Sequence, residues 1–239
     1  MFLKPLSVAS MRKCSRRASC FEWFLILAHS AALDQYFGTI ITLVFAKLQA
    51  QPTDSFKTRV ARFYHLVSAR TGEAGMGADF FIRHAEAVQQ NVFTPFYLTV
   101  ILPTTAQFAR PVDRKLGVIS YTKTICESQS FAQRYPKGWG FTCNNLLDLL
   151  KNAPKVSSGV GDEIINEADV DDIGFGVGFT PLNTCKRGSR DDFPDIVNVE
   201  EWVSQYMKHS NQLHNGAIGA FVDQRLTPQA KAAIQSYML

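Results

Sequence analysis

The chain is poor in the patterns on which most site chemistries depend. No C-x-x-C pair and no H-x-x-x-H occurs in its 239 residues, so zinc ligands at their usual spacing are missing. The five cysteines, Cys14, Cys20, Cys126, Cys143 and Cys185, are odd in number and far apart. That favours a reduced intracellular protein over a disulfide framework. No glycine–lysine–hydroxyl triplet follows a glycine turn, which removes the P-loop. No segment sustains period-two alternation, so strands are not expected. The apolar run "FLILA" (24–28) falls far below the ~20 residues of a membrane span. What remains is 46% hydrophobic and 19% charged, enough apolar material for a sizeable core.

Charge is unevenly placed. Residues 1–33 hold Lys4, Arg12, Lys13, Arg16 and Arg17 against Glu22 alone, which accounts for the whole net charge of +4. Residues 34–161 carry 14 bases and 8 acids, whereas 162–200 carry 3 bases and 10 acids. A dipolar body of this kind suits a protein partner with charged patches. A nucleic-acid backbone would call for a continuous basic stripe.

The basic, serine-rich start leaves three readings open. A secretory signal needs a longer clean apolar run, without Glu22 in its flank. A mitochondrial transit peptide fits the Arg/Ser bias up to Ser19. The third reading is a ragged, truncated start in which Phe21–Ala32 is an ordinary buried helix.

From residue 33 the periodicity is helical almost throughout. Leu33, Tyr36, Phe37, Ile40, Ile41, Val44, Phe45 and Leu48 form one apolar stripe. "QPTD" (51–54) breaks the chain with Thr53 or Asp54 as an N-cap. Phe56, Val60, Phe63, Tyr64 and Val67 follow, then the glycines of "TGEAGMG". Next come Phe80, Phe81, His84 and Val88, where His84 reads as a satisfied core histidine. "NVFTPFYLTVILP" starts with Asn91 as a cap, and Pro95 and Pro103 bend or end it. Val112, Leu116, Ile119 and Cys126 share one face of the next helix. Trp139, Cys143, Leu146, Leu147 and Leu150 make a sixth. Val199, Trp202, Val203, Tyr206 and Met207 follow, then Ile218, Phe221 and Val222. "LTPQAKAAIQSYML" closes the chain, with Thr227 as cap and Pro228 at the first helical position. Eight or nine helices of 12–18 residues imply an all-α fold of paired antiparallel helices, an α-solenoid or a bundle. Spacings near 40 residues per pair favour HEAT-like units. The domain boundary falls at 33/34, with an acidic insertion at about 152–190.

That insertion holds "GDEIINEADVDDIGFG" (161–176). Its carboxylates Asp162, Glu163, Glu167, Asp169, Asp171 and Asp172 are the candidate protein-binding residues, with a solvated loop as the alternative. An EF-hand begun at Asp169 fails at Ile173 and Thr180. "GFGVGF" (174–179) lacks the dinucleotide spacing and follows no strand. No residue set supports an enzyme, a cofactor or a metal centre.

Four stretches resemble the C-terminal part of the exportin-2 family of karyopherins, the importin-α re-exporters. They are "RVARFYHLVSARTGEAGMGADFFI" (59–82), "FARPVDRKLGVISYTKTICES" (108–128), "GDEIINEADVDDIGFGVGFTPLNTC" (161–185) and "LTPQAKAAIQSYML" (226–239). They occur in family order over nearly all of 34–239, but correspond only to about the last quarter of the family's solenoid. The resemblance implies a HEAT-repeat arch, importin-α and Ran-GTP as partners, and shuttling between nucleus and cytoplasm through the nuclear envelope. The amino-terminal repeats that hold most of the Ran-GTP contact have no counterpart in this chain, which reads as a fragment. A cut solenoid exposes an apolar end, so self-association through the amino-terminal helices is expected. Another karyopherin or a HEAT scaffold with a different protein partner is the alternative, and a mitochondrial helical protein with a genuine transit peptide the second. After the acids, Phe175 and Phe179 are expected to anchor the insertion back on the solenoid.

Overall fold

The computed structural model describes residues 30–50, 52–71, 75–151 and 191–238. Among them lie α1 (Ser30–Gln49), α2 (Asp54–Ala69), α3 (Ala78–Val88), α4 (Phe93–Phe96), a π-helical turn (Tyr97–Ile101) and α5 (Leu102–Ala106). Then come α6 (Pro111–Glu127), α7 (Gln129–Gln133), α8 (Pro136–Leu150), α9 (Val199–Leu213), α10 (Ala217–Arg225) and α11 (Pro228–Met238). No strand occurs among the described residues.

Side-chain contacts fix the directions of the helices. Arg62 meets Asp113 near the start of α6, His65 meets Ser120 at its middle, and Lys123 reaches the Ala69 carbonyl at the end of α2. Helices α2 and α6 therefore run the same way. So do α6 and α9, because Leu116 and Ile119 pack with Trp202, and Glu127 accepts from Tyr206. Helix α8 runs opposite to α6: Trp139 Nε1 donates to the Ile125 carbonyl at 3.1 Å, and Arg114 reaches the Leu149 carbonyl at 3.5 Å. The result is two layers, α2–α6–α9 and (π turn, α5)–α8–α11, paired across the core. This is the stacked-hairpin plan of a HEAT solenoid.

Helix α6 differs from its sequence reading. One apolar face was expected. Its neighbours α2, α8 and α9 instead enclose it on all sides, and Asp113, Lys115, Ser120, Thr122 and Thr124 are buried with the aliphatics. A polar side chain is tolerated there only when bonded. Thr122 and Thr124 donate to the carbonyls of Val118 and Ser120, one turn back. Gly117 allows α5 to come close, since a Cβ there would lie 3.1 Å from the Thr105 methyl.

The larger core is aromatic. Phe37, Phe63, Tyr64, Phe81, Phe93, Phe96, Tyr97 and Phe131 interlock across α1–α4, the π turn and α7, mostly edge-to-face. Such pairs add about 0.5–1.5 kcal/mol each beyond their buried area.

Three local expectations change. Thr53 caps α2 as expected, accepting from Phe56 N at 3.2 Å. Asn91, however, is no cap: it takes a left-handed φ of 60°, and the carboxylate of Glu86 receives the amides of Asn91 and Phe93. Pro103 does not end its helix. Its ring crowds the carbonyl four residues back and it donates no hydrogen bond. The preceding turn widens to π geometry, with Leu102 N bonded to the Tyr97 carbonyl, and the helix continues. Finally, α7 is only five residues long and α10 nine, shorter than the expected 12–18. Ser128 caps α7, its hydroxyl accepting from Phe131 N at 3.2 Å, and Asp79 of α3 braces that cap by accepting from Ser128 Oγ, Gln129 N and Ser130 N.

Candidate interaction face on helices α2 and α6

The described residues before the acidic stretch end at Lys151, whose N bonds to the Leu147 carbonyl and whose Nζ pairs with Asp148, and they resume at Asp191. Between them, Asp162, Glu163, Glu167, Asp169, Asp171 and Asp172, together with Phe175 and Phe179, lie outside the described residues. The return point is well defined, and it is built on Lys115.

Lys115 is 2% exposed. Its ammonium donates to Asp191 Oδ2 at 2.6 Å and to the Phe193 carbonyl at 2.8 Å. The other carboxylate oxygen of Asp191 accepts from Phe193 N at 3.0 Å, and Ile196 N closes a turn on the Phe193 carbonyl. A cation so deeply buried persists only when its charge and donors are met; here one short segment meets them.

Beside the ammonium lies an apolar floor of Leu66 and Ala69 from α2 and Leu116 and Ile119 from α6. Phe193, Ile196 and Trp202 pack on it. Lys123 forms the far wall. Its ammonium donates to the Ala69 carbonyl at 2.8 Å and stands 5.9 Å from the centre of the Phe193 ring. Burial pulls its pKa below the usual lysine range, while nearby Glu127 opposes the shift. At the other end of the seam, Arg62 and Arg110 flank the buried Asp113 carboxylate at 2.9 and 2.8 Å.

Under this face sits His65, fully buried. The Thr105 hydroxyl donates to the Ile101 carbonyl at 2.7 Å, so it must accept the 2.7 Å bond from His65 Nε2. Nε2 therefore carries the proton, and Nδ1 accepts from Ser120 Oγ at 2.9 Å. Burial lowers the His65 pKa to about 3, and the ring is neutral. His65 is thus the satisfied core histidine; His84 is half-buried and bonds Asp34 at 2.9 Å.

The remaining chemistry is sparse. A cavity of about 310 Å³ opens beside Gln107, Arg114, Asn145 and Asp148. No group of three His, Cys, Asp or Glu able to hold a metal occurs among the described residues. Burial pushes the Cys126 thiol up to about 12 and raises Cys143 as well, which suppresses thiolate chemistry. No helix among the described residues is long and apolar enough to cross a membrane.

Sequence reasoning did not single out Lys115. A signal was present. Lys115, Ile119 and Lys123 stand four residues apart and share one stripe of α6, an arrangement that suits an acidic–aromatic ligand.

Residues 16–237 match the family described as "CAS/CSE protein, C-terminus". The importin-alpha re-exporter of Schizosaccharomyces pombe is 26% identical over 212 residues, 86% of this chain and 22% of that protein. That of Saccharomyces cerevisiae is 22% identical over 209 residues, 87% of this chain and 21% of that protein. Exportin-2 of Homo sapiens is 21% identical over 210 residues, 87% of this chain and 21% of that protein. The chain thus spans about a fifth of the length of these curated relatives. A solved structure described as "The exportin Cse1 in its cargo-free, cytoplasmic state" superposes with a TM-score of 0.62 at 19% identity, covering 93% of this chain and 22% of that one. That likeness speaks to the fold.

Proposed function

The chain belongs to the CAS/CSE family, whose C-terminal region it matches, and from that membership we propose that it serves as the C-terminal arch of a nuclear export receptor. In this reading it contributes to Ran-GTP-dependent export of importin-α and shuttles between nucleus and cytoplasm. The family match over residues 16–237 carries the reading. The re-exporter names of the relatives support it, as does the two-layer helical arrangement, because a solenoid presents extended surfaces to protein partners and changes curvature as they bind.

The acids Asp162, Glu163, Glu167, Asp169, Asp171 and Asp172 act, in this proposal, by steering a basic patch on importin-α. A pull-down with importin-α, with and without Ran-GTP, tests the function. Retention that rises with Ran-GTP is expected. Failure to retain importin-α in either arm would overturn the export reading and leave a HEAT scaffold with another partner.

A further inference from the structure

We propose that the α2–α6 face is a receptor site for short acidic–aromatic segments of the form Asp-x-Phe. It is held in cis by Asp191–Ile196, and a partner protein's segment of the same chemistry exchanges into it. The cis segment is bound as a peptide ligand is bound. It lies before the start of α9 at Val199, and it is held by one carboxylate, one main-chain carbonyl and one aromatic ring.

Each element of the motif has a matching element in the site. Lys115 reads the carboxylate and the Phe193 carbonyl together. This requires both to lie on one side of a tight turn, which the bond from Phe193 N to Asp191 Oδ1 enforces. A glutamate, one methylene longer, would lose either that bond or the ammonium. Lys123 stands over the aromatic position, and Leu66, Ala69, Leu116 and Ile119 supply the apolar floor. The receptor residues all come from two packed helices, so the site is preformed, whereas its occupant is a short non-helical segment. An occupant on the same chain competes as an intramolecular ligand at high effective concentration. Free peptide is therefore shut out until the cis segment is weakened.

The test uses the full chain and a fluorescein-labelled peptide of residues 189–197, followed by anisotropy. Phe193→Ala retains the Lys115–Asp191 ion pair and vacates the aromatic position; Asp191→Ala/Phe193→Ala vacates both. The peptide is expected to bind Phe193→Ala at least about tenfold tighter than the unsubstituted chain, with binding weakened by salt. A peptide carrying Asn at 191 and Ala at 193 should not bind, and Lys115→Gln added to Phe193→Ala should abolish binding. Circular dichroism checks that each variant keeps its helicity, and if the double variant unfolds, Phe193→Ala carries the test alone. Helical Phe193→Ala that binds neither peptide, or both equally, overturns the proposal. The importin-α pull-down is a separate readout, so failure of one does not imply failure of the other.

Discussion

Lys115 Nζ and Asp191 Oδ2 lie 2.6 Å apart across 76 positions of sequence, the ammonium buried and the carboxylate side chain 22% exposed. The pair fastens the far end of the acidic insertion to the helix at the centre of the fold. Its unequal burial makes the two ends respond differently to mutation. Asp191→Ala leaves a buried ammonium without its counter-ion, a loss of about 3–5 kcal/mol. Lys115→Met leaves a carboxylate that water can reach and fills the site with an apolar chain of similar length. We expect urea denaturation to show Asp191→Ala as clearly the more damaging of the two. Equal losses would contradict the pairing geometry.

His65 gives a pH dependence of known sign. Its folded-state pKa is depressed to about 3 from 6.5. Below pH 6.5 the unfolded chain therefore takes up a proton that the folded chain refuses. Its contribution to stability is complete above 6.5 and is lost as pH falls toward 3, at about 1.4 kcal/mol per pH unit. Stability measured from pH 7 to pH 4 should fall less steeply in His65→Gln than in the unsubstituted chain. Parallel curves would refute a neutral buried imidazole.

The cap on α7, Ser128, is braced from another helix. Asp79→Ala removes the acceptor of Gln129 N, Ser130 N and Ser128 Oγ together. A loss of about 1–2 kcal/mol is expected, with faster hydrogen exchange at the amides of Gln129 and Ser130. Unchanged exchange there would show that the helix is held by other means.

Arg225 joins α10 to α7. Its guanidinium donates to the Ala132 carbonyl at 2.6 Å and lies 3.9 Å from the Phe221 ring centre and 5.6 Å from that of Trp139. Arg225→Ala should cost about 1–3 kcal/mol, since a bond to a charged donor and the aromatic packing are lost together. Lysine, which lacks the planar fork, should restore only part of it. Full rescue by lysine would mean that charge alone matters.

The steering proposal has its own check. Replacing the six acids between 162 and 172 with Ser and Asn should weaken importin-α capture and flatten its dependence on salt. Identical capture at low and high salt in both proteins would sink it.

Much of the fold was legible as spacing. The stripes from Phe37 to Phe45, Phe56 to Val67 and Val199 to Met207 each became a helix, and Thr53 capped where a threonine before Asp54 should. The misreadings share a cause, which is that a long-range partner decided the outcome. Lys115 and Asp113 look solvated until α2, α8 and α9 close around α6. Asn91 looks like a cap until Glu86 claims the amides beside it. Pro103 reads as a bend or an end, and the widened turn before it lets the helix continue. Of the candidate face, only Leu116 and Ile119 were read in advance, as part of one apolar face of α6. Its ligand lies beyond the whole insertion, and no local rule connects the two.

The seam between α2 and α6 is pinned at three heights: Arg62 with Asp113, His65 with Ser120, and Lys123 with the Ala69 carbonyl. Leucine against leucine tolerates slippage; these bonds do not. Sliding either helix by a single turn would break all three at once and strand charged and polar atoms away from water. The two helices therefore behave as a keyed joint with one permitted register. Any bending of the fold would fall on the helices beside them and not on this seam.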